Sequence, residues 1–286
     1  MTRPRLTDRA ALSRARTRAR KTPGGMADFL HRTAADEMQE RLELVNRSFT
    51  NAVVVSGFPE LWADLMPQAR QIPDTEVLDL EPGAHDLVVH ALALHWADDP
   101  VGQLVQARHA LRPDGFFLGC LFGGETLSEL RTTLAKAESA EMGGLSPRVA
   151  PMGEIRDVGA LMQRAGFALP VADSVPLTAT YETAFHLMRD LRAMGETNAL
   201  AARHRALAPR RLFLHMAEDY AARYPVDGAR IAATFELIFL AGWAPAASQP
   251  QPLRPGSAAT RLADALGTQE IGPDDVGTPP SPDGSD

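Results

Sequence analysis

Apolar residues recur along this chain with two periods, and the alternation between them sets out the elements. Between Met26 and Phe49, the residues Phe29, Leu30, Met38, Leu42 and Val45 fall among good helix formers before Thr50-Asn51 ends the run, which predicts a helical preface over 26–50. Ala52–Gly57 is a short β-branched run and reads as a first strand. Phe58-Pro59-Glu60 opens a helix through Leu65, proline being tolerated in a first helical turn. Glu76–Leu80 leads into the turn Glu81-Pro82-Gly83-Ala84. From His85 the pattern tightens into an apolar strand carrying Val88, Val89, Leu92 and Leu94 and ending at His95-Trp96. Asp98-Asp99-Pro100 then starts a helix with Val101, Leu104, Val105 and Leu111 at helical spacing, the break Arg112-Pro113-Asp114-Gly115 follows, and a second apolar strand runs over 116–122. Ile155–Ala165 reads as a helix stopped by Gly166, Ala168–Tyr181 as a strand, Ala184–Met194 and Arg210–Tyr224 as helices, and Arg230–Trp243 as a closing strand.

Strands separated by helices predict an α/β fold with a doubly wound, mainly parallel sheet. Its ligand would lie beyond the carboxyl ends of the strands, at the loops after Val55, Leu94 and Leu118. The domain reading is a basic disordered arm over 1–25, the preface over 26–50, a main domain over 51–245 with a helical insertion at 182–225 before the last strand, and a disordered tail rich in Pro, Gly, Ser and Asp over 246–286.

Charge sharpens the first boundary. The net charge of −7 hides a basic start: residues 1–21 hold seven Arg and Lys21 against Asp8 alone, so the remainder stands at about −14 by subtraction. The arm reads as a disordered or loosely helical, solvated extension on a bacterial, cytoplasmic protein. The alternatives are a mitochondrial presequence, which would place the protein in the matrix, and a tail for RNA or anionic lipid; no nucleic-acid partner is expected. No run of 18 uninterrupted apolar residues occurs, so no transmembrane segment is expected. The lone Cys120, inside an apolar run, excludes an internal disulfide framework and reads as a small core residue. Nothing in the sequence specifies an oligomeric state.

The wording of several turns carries a resemblance. Asp86-Leu87-Val88-Val89, Leu94-His95-Trp96 and Leu111-Arg112-Pro113-Asp114-Gly115 resemble the back half of the class I, type 11-like S-adenosylmethionine-dependent methyltransferases, in which a central D-L-V-x-S-x-x-L-x-W strand is followed by a helix ending in L-[KR]-P-G-G. Phe122–Leu127 (FGGETL), Gly143–Pro147 (GGLSP) and Asp190–Asn198 (DLRAMGETN) resemble a narrower group, the respiratory complex I assembly factors and their bacterial relatives, whose mitochondrial member is regarded as an arginine hydroxylase acting on a complex I subunit. The resemblance spans Phe29 to Pro255. It implies a Rossmann-like methyltransferase sheet, S-adenosylmethionine as cofactor, and a protein client such as a complex I subunit.

The chain departs from that pattern in two places. The family's first loop, G-x-G-x-G, keeps side chains away from the cofactor, whereas this chain reads Ser56-Gly57-Phe58-Pro59-Glu60 and only Gly57 matches. The stretch from Val55 to Asp86 is also too short for the usual two further strands and their helices, since a βαβ unit alone takes about thirty residues. Asp74-Thr75-Glu76-Val77-Leu78 resembles the D-x-E-x-L-P of the third-strand loop, whose Asp contacts the adenine amino group. The second strand with its helix, and with them the ribose carboxylate, are therefore expected to be missing. The resemblance assigns cofactor contacts to Ser56, Gly57, Asp74 and Leu94 and implies that S-adenosylmethionine binds weakly or not at all.

His95 and Trp96 are the weak candidates for catalysis, at a strand end facing the cleft. Against that role stand a satisfied histidine and a half-buried tryptophan. Asp98 and Asp99 most simply cap the following helix. Gly123-Gly124-Glu125 reads either as backbone approaching a ligand or as a turn, and the GETN segment receives no chemistry. The eight histidines show no H-x-E-x-H or H-x-x-x-H pairing, no metal site is expected, and no G-x-S-x-G nucleophile occurs. Three functions remain open: a methyltransferase; a hydroxylase or other modifier of a complex I subunit, which would need an oxygen-activating partner; and a non-catalytic assembly factor with an eroded cofactor site.

Overall fold

The strands of the computed structural model, which describes residues 5–249, alternate side chains between two helical layers. In β1 (Ala52–Ser56) Val53 and Val55 face one layer and Val54 the other, and in β3 (His85–Ala91) Val88 opposes Leu87 and Val89. In β4 (Leu111–Phe122) Phe117 and Leu121 share the face of Val53, while Leu118 and Cys120 share that of Val54. One layer holds α2 (Phe29–Leu44), α3 (Pro59–Leu65), α5 (Ser128–Met142), α7 (Ala184–Met194) and α8 (Arg210–Arg223), and the other holds α4 (Pro100–Ala110) and α6 (Ile155–Arg164). With both faces covered, the centres of these strands are mostly apolar, as buried parallel strands are.

The sheet order is β2-β1-β3-β4-β7-β5, with β2 at Arg70–Pro73, β5 at Ala168–Tyr181 and β7 at Arg230–Trp243, and a short β6 (Pro225–Val226) on β7. The first four strands are parallel, and β7 runs antiparallel between β4 and β5. One strand alone lies beyond β1, pairing Val53–Ser56 with Arg70–Pro73, so the contraction read from chain length is real. The excursion containing α7 and α8 connects β5 to β7, as the pattern predicts, and packs on α5. Residues 5–246 form one compact unit. Most of the tail expected to be disordered lies outside the described residues.

Three expectations need correction. The arm is not disordered at its centre: Arg9–Arg20 form helix α1, capped by Asp8, whose side chain accepts from Ala11 N at 3.0 Å, and Leu12, Ala15 and Ala19 are buried at 0–1 % exposure. The spacing of those three residues makes one apolar stripe, which is why the basic segment folds against the domain. The strand at His85 stops at Ala91. Leu92 takes φ +45° while its N–H donates to Cys120 O at 2.9 Å, and Leu94–Trp96 become a 3₁₀ turn; a non-glycine residue in that region is strained. Only Asp99 caps α4. Asp98 instead accepts the Leu6 and Thr7 N–H groups at 2.9 and 2.8 Å and straps the start of α1 to the domain.

Candidate functional site

The carboxyl ends of β1 and β3 are adjacent with their connections leaving on opposite sides, which is where such a sheet opens a ligand crevice. Ser56 and Gly57 lie at the end of β1, Asp74 follows β2, and Leu94–Trp96 follow β3. Ser56 Oγ accepts the Phe58 N–H at 2.8 Å and is fully buried, so it shapes its own loop. Leu94 packs into the α4/α6 core. Of the four residues assigned to the cofactor, Gly57 and Asp74 come together.

They face Arg16. Its guanidinium donates to both oxygens of Asp74, at 2.6 and 3.0 Å, in a pair whose side chains are 9 % and 7 % exposed. Arg9 adds contacts to Asp74 Oδ2, at 3.4 Å, and to its backbone carbonyl. A Cβ on Gly57 would overlap the Arg16 guanidinium, and the Gly57 carbonyl accepts from Arg20 at 3.1 Å. The two contacts that the resemblance assigns to S-adenosylmethionine, the Asp74 carboxylate and the open face of Gly57, are both taken by α1. The residues present do not fit the cofactor.

A second concavity, of about 570 Å³, lies past Trp96. Phe122 at the end of β4, Phe235 within β7, Leu130 and Leu134 of α5, Phe185 and Met188 of α7, and Phe213 of α8 line it, with Glu196 and Arg148 among the polar groups in its wall. Trp96 Nε1 donates to Glu196 Oε2 at 2.8 Å, and His95 Nε2 stands 3.5 Å from the same oxygen. Burial alone would raise the Glu196 pKa. The His95 ring, the Arg16 charge and the Trp96 N–H outweigh it and hold the group below the usual carboxylate range. The His95 side chain is 2 % exposed, packs on Phe122 at 4.8 Å between ring centroids, and has no hydrogen bond within normal length on either nitrogen. His95 and Trp96 therefore meet at a buried acid that the sequence reading did not single out.

Two of the three motif segments line this cavity, through Phe122, Thr126 and Leu127 and through Leu191, Met194 and Glu196, and the remaining one is bonded to the third. In FGGETL, Thr126 Oγ1 accepts Glu236 N at 3.0 Å and lies 3.2 Å from Glu236 O, to which it donates, and Gly123 N donates to that same carbonyl at 2.8 Å. Gly123 and Gly124 leave room for the carboxylates of Glu236 and Glu154, so this glycine pair is a packed corner and not a ligand loop. In GGLSP, Gly143 caps α5 at φ +68°, and Ser146 donates to Glu138 through N and Oγ at 3.0 and 2.6 Å. Gly195 caps α7 at φ +82°, followed by Glu196; Asn198 Nδ2 donates to Pro147 O at 2.8 Å and joins the second motif to the third. Glu196, Arg148 and Arg16 were legible only as motif or charge, since their partners lie far away in sequence. A valine at Gly123 would displace the Glu236 carboxylate and stand 2.8 Å from Ile238 Cδ1. Gly123→Val is expected to lower the denaturant midpoint by the equivalent of about 1–3 kcal/mol; an unchanged midpoint would mean the corner is loose.

Other titratable groups do not join the site. His85 Nδ1 lies 3.3 Å from Asn51 O and His90 Nε2 is 2.8 Å from Gln103 Oε1, so the histidines at five-residue steps serve separate structural bonds. Cys120 is buried and its thiol pKa is pushed up by that burial. Among the described residues no group of three His, Cys, Asp or Glu could hold a metal ion, and no helix is long and apolar enough to cross a membrane.

The sheet order and the residues at its crevice define a class I methyltransferase fold with a contracted edge. The chain belongs to the family of the NDUFAF5 arginine-hydroxylases: it is 35 % identical over 222 residues to the mitochondrial arginine-hydroxylase NDUFAF5 of Danio rerio, covering 78 % of this chain and 69 % of that one. The malonyl-[acyl-carrier protein] O-methyltransferase of Laribacter hongkongensis is 36 % identical over 183 residues, covering 64 % and 59 %. Across the arginine-hydroxylase relatives the match spans between 46 % and 69 % of their length. A candidate methyltransferase of Bacillus halodurans superposes with a TM-score of 0.44 at 14 % identity, over 70 % of this chain and 93 % of that one. No protein-family model matches.

Proposed function

We propose that this chain holds, or acts on, a protein client during respiratory complex I assembly, and that a basic side chain of the client enters the cavity beside Trp96 to meet Glu196. The observation that carries this reading is the meeting of the first and third motif segments at one cavity, with the second bonded to the third, and an acid held below the usual carboxylate range in its wall. An apolar seat accepts the stem of an arginine or lysine, and the carboxylate, oriented by the Trp96 N–H, accepts its charged head. Such a charge-assisted bond contributes about 1.5–3 kcal/mol. No methyl transfer enters this reading, because the donor's seat is filled. We place the protein in the cytoplasm of a bacterium, on the side of the membrane equivalent to the mitochondrial matrix.

A second reading follows from the relatives named as arginine-hydroxylases: the client's arginine is hydroxylated in the cavity, one atom of dioxygen entering a C–H bond and the other leaving as water, with two electrons and two protons from a recruited reductase partner. One experiment addresses the shared claim. Deleting the gene is expected to abolish rotenone-sensitive NADH oxidation in the membranes, and the wild-type gene is expected to restore it. Glu196→Gln keeps an acceptor for Trp96 but loses the charge, and should fail to restore activity at normal protein level. Unchanged activity and unchanged complex I abundance in the deletion strain would defeat the proposal.

A further inference from the structure

We infer that this chain has exchanged the nucleoside of S-adenosylmethionine for its own Arg16, so that helix α1 is a permanent intramolecular occupant of the cofactor seat. The inference concerns that seat and does not depend on what enters the cavity beside Trp96.

The contraction of the sheet and the position of α1 belong together. Without a second strand there is no acid to hold a ribose, and the remaining recognition group, Asp74, is fully engaged. A bidentate guanidinium takes both its oxygens in the geometry that suits a carboxylate best. An adenine amino group offers a neutral donor and no charge. Putting adenine there would leave a buried carboxylate without its cation and a buried guanidinium without its anion, which is the most unfavourable way to break such a pair. Moving the whole helix is no easier. Its inner face, Leu12, Ala15 and Ala19, is as buried as the core of the domain. Its start is tied down by Asp98 and by Asp8 N donating to Ala199 O at 2.7 Å, and Arg203 holds the Asp8 carboxylate at 2.8 Å. Phe58, which stands where the family's loop has a small residue, carries the Arg16 and Arg20 guanidiniums over its ring at 5.8 and 5.1 Å. The degraded glycine loop is thus the complement of α1: an aromatic suited to arginine has replaced the opening suited to a nucleoside.

The test is a calorimetric and thermal-shift titration of the full chain with S-adenosylmethionine and S-adenosylhomocysteine. No binding heat and a melting shift below about 1 °C are expected at roughly 1 mM ligand. Arg16→Ala is expected to lower the melting temperature by on the order of 10 °C, and Arg16→Lys, which keeps the charge without the fork, by less. Arg16→Ala combined with Asp74→Ala should cost less than the sum of the two single changes, because the double variant buries no unpaired charge. A dissociation constant of about 100 μM or tighter in the wild-type chain would overturn the inference, as would an Arg16→Ala protein that melts like wild type. If Arg16→Ala does not fold, the wild-type titration and Arg16→Lys still decide.

Discussion

Between pH 6.5 and pH 4 the protein is expected to lose several kcal/mol of folding stability through two histidines that are nowhere near each other in sequence. Burial, opposed in part by the Glu196 charge and reinforced by Arg16 and His95, pushes His31 down to about 4. Burial also pushes His90 down to about 4, against the hydrogen bond to Gln103. Both rings are neutral donors and acceptors in the fold. Trp62 Nε1 donates to His31 Nδ1 at 3.1 Å; Gln103 Nε2 donates to Thr75 O at 2.9 Å, so its oxygen is the acceptor and His90 Nε2 carries the proton. The unfolded chain takes up protons near pH 6.5 that the native state refuses until about pH 4. Stability therefore falls as pH falls through that window, by up to about 3 kcal/mol for each ring, and levels off for these groups below it. Glu196 and Glu138 extend the loss at lower pH. Burial raises both, yet His95, Arg16 and Trp96 in one case, and Arg148 and Ser146 in the other, hold them below the usual carboxylate range. Denaturant midpoints at pH 7, 6, 5 and 4.5 measure the slope. His90→Gln should flatten about half of it; a wild-type profile that is flat from pH 7 to 4.5 would contradict the buried neutral rings.

Trp62→Ala is expected to destabilise the fold by about 3–5 kcal/mol, with a melting temperature lower by on the order of 10 °C. Helix α3 has seven residues, and Trp62 is its sole fully buried one at 0 % exposure, so this ring, with partly buried Leu65 beside it, is the main fastening of the helix to the sheet. Truncation leaves a cavity and removes the donor to His31. Trp62→Phe separates the two effects: it keeps most of the volume, loses the N–H, and should cost about 1–2 kcal/mol. Because that N–H stabilises the neutral ring, the phenylalanine variant should also let His31 protonate at a higher pH and so reduce the acid slope. Equal losses for Ala and Phe would show that packing contributes little at this position.

Most of the fold was legible because local pattern and tertiary demand agree. The doubly buried strands at 52–55 and 116–122 lack polar side chains, and the capping signals Asp99-Pro100 and Gly166 fall where helices start and stop. The contraction was legible from chain length alone. The failures share another cause. His95 and Trp96 looked like the end of a strand because Leu92 turns the backbone through a left-handed conformation that no leucine advertises. Helix α5, in a stretch the pattern left unassigned, begins after a second such residue, Leu127 at φ +56°, with no capping side chain to announce it. The arm was misjudged because its seven arginines outweigh a stripe of three small or medium apolar residues, and arginine in a basic segment reads as solvated until the acid that buries it is known. Asp74 and Glu196 are those acids for the site, 58 and 180 positions from Arg16, beyond the reach of any window along the sequence.

The placement of β7 has a consequence for biosynthesis. The strand that closes the middle of the sheet, between β4 and β5, is the last of the described strands to leave the ribosome, after the whole excursion through α7 and α8. Until residues 230–243 emerge, β4 lacks its antiparallel neighbour and β5 has no sheet to join, so two long strands wait with open edges. The nascent chain thus passes through a stage that is sticky by geometry, and its exposure time is set by translation of the roughly fifty residues separating β5 from β7. For this chain, holding a client would come after a period in which it must itself be held.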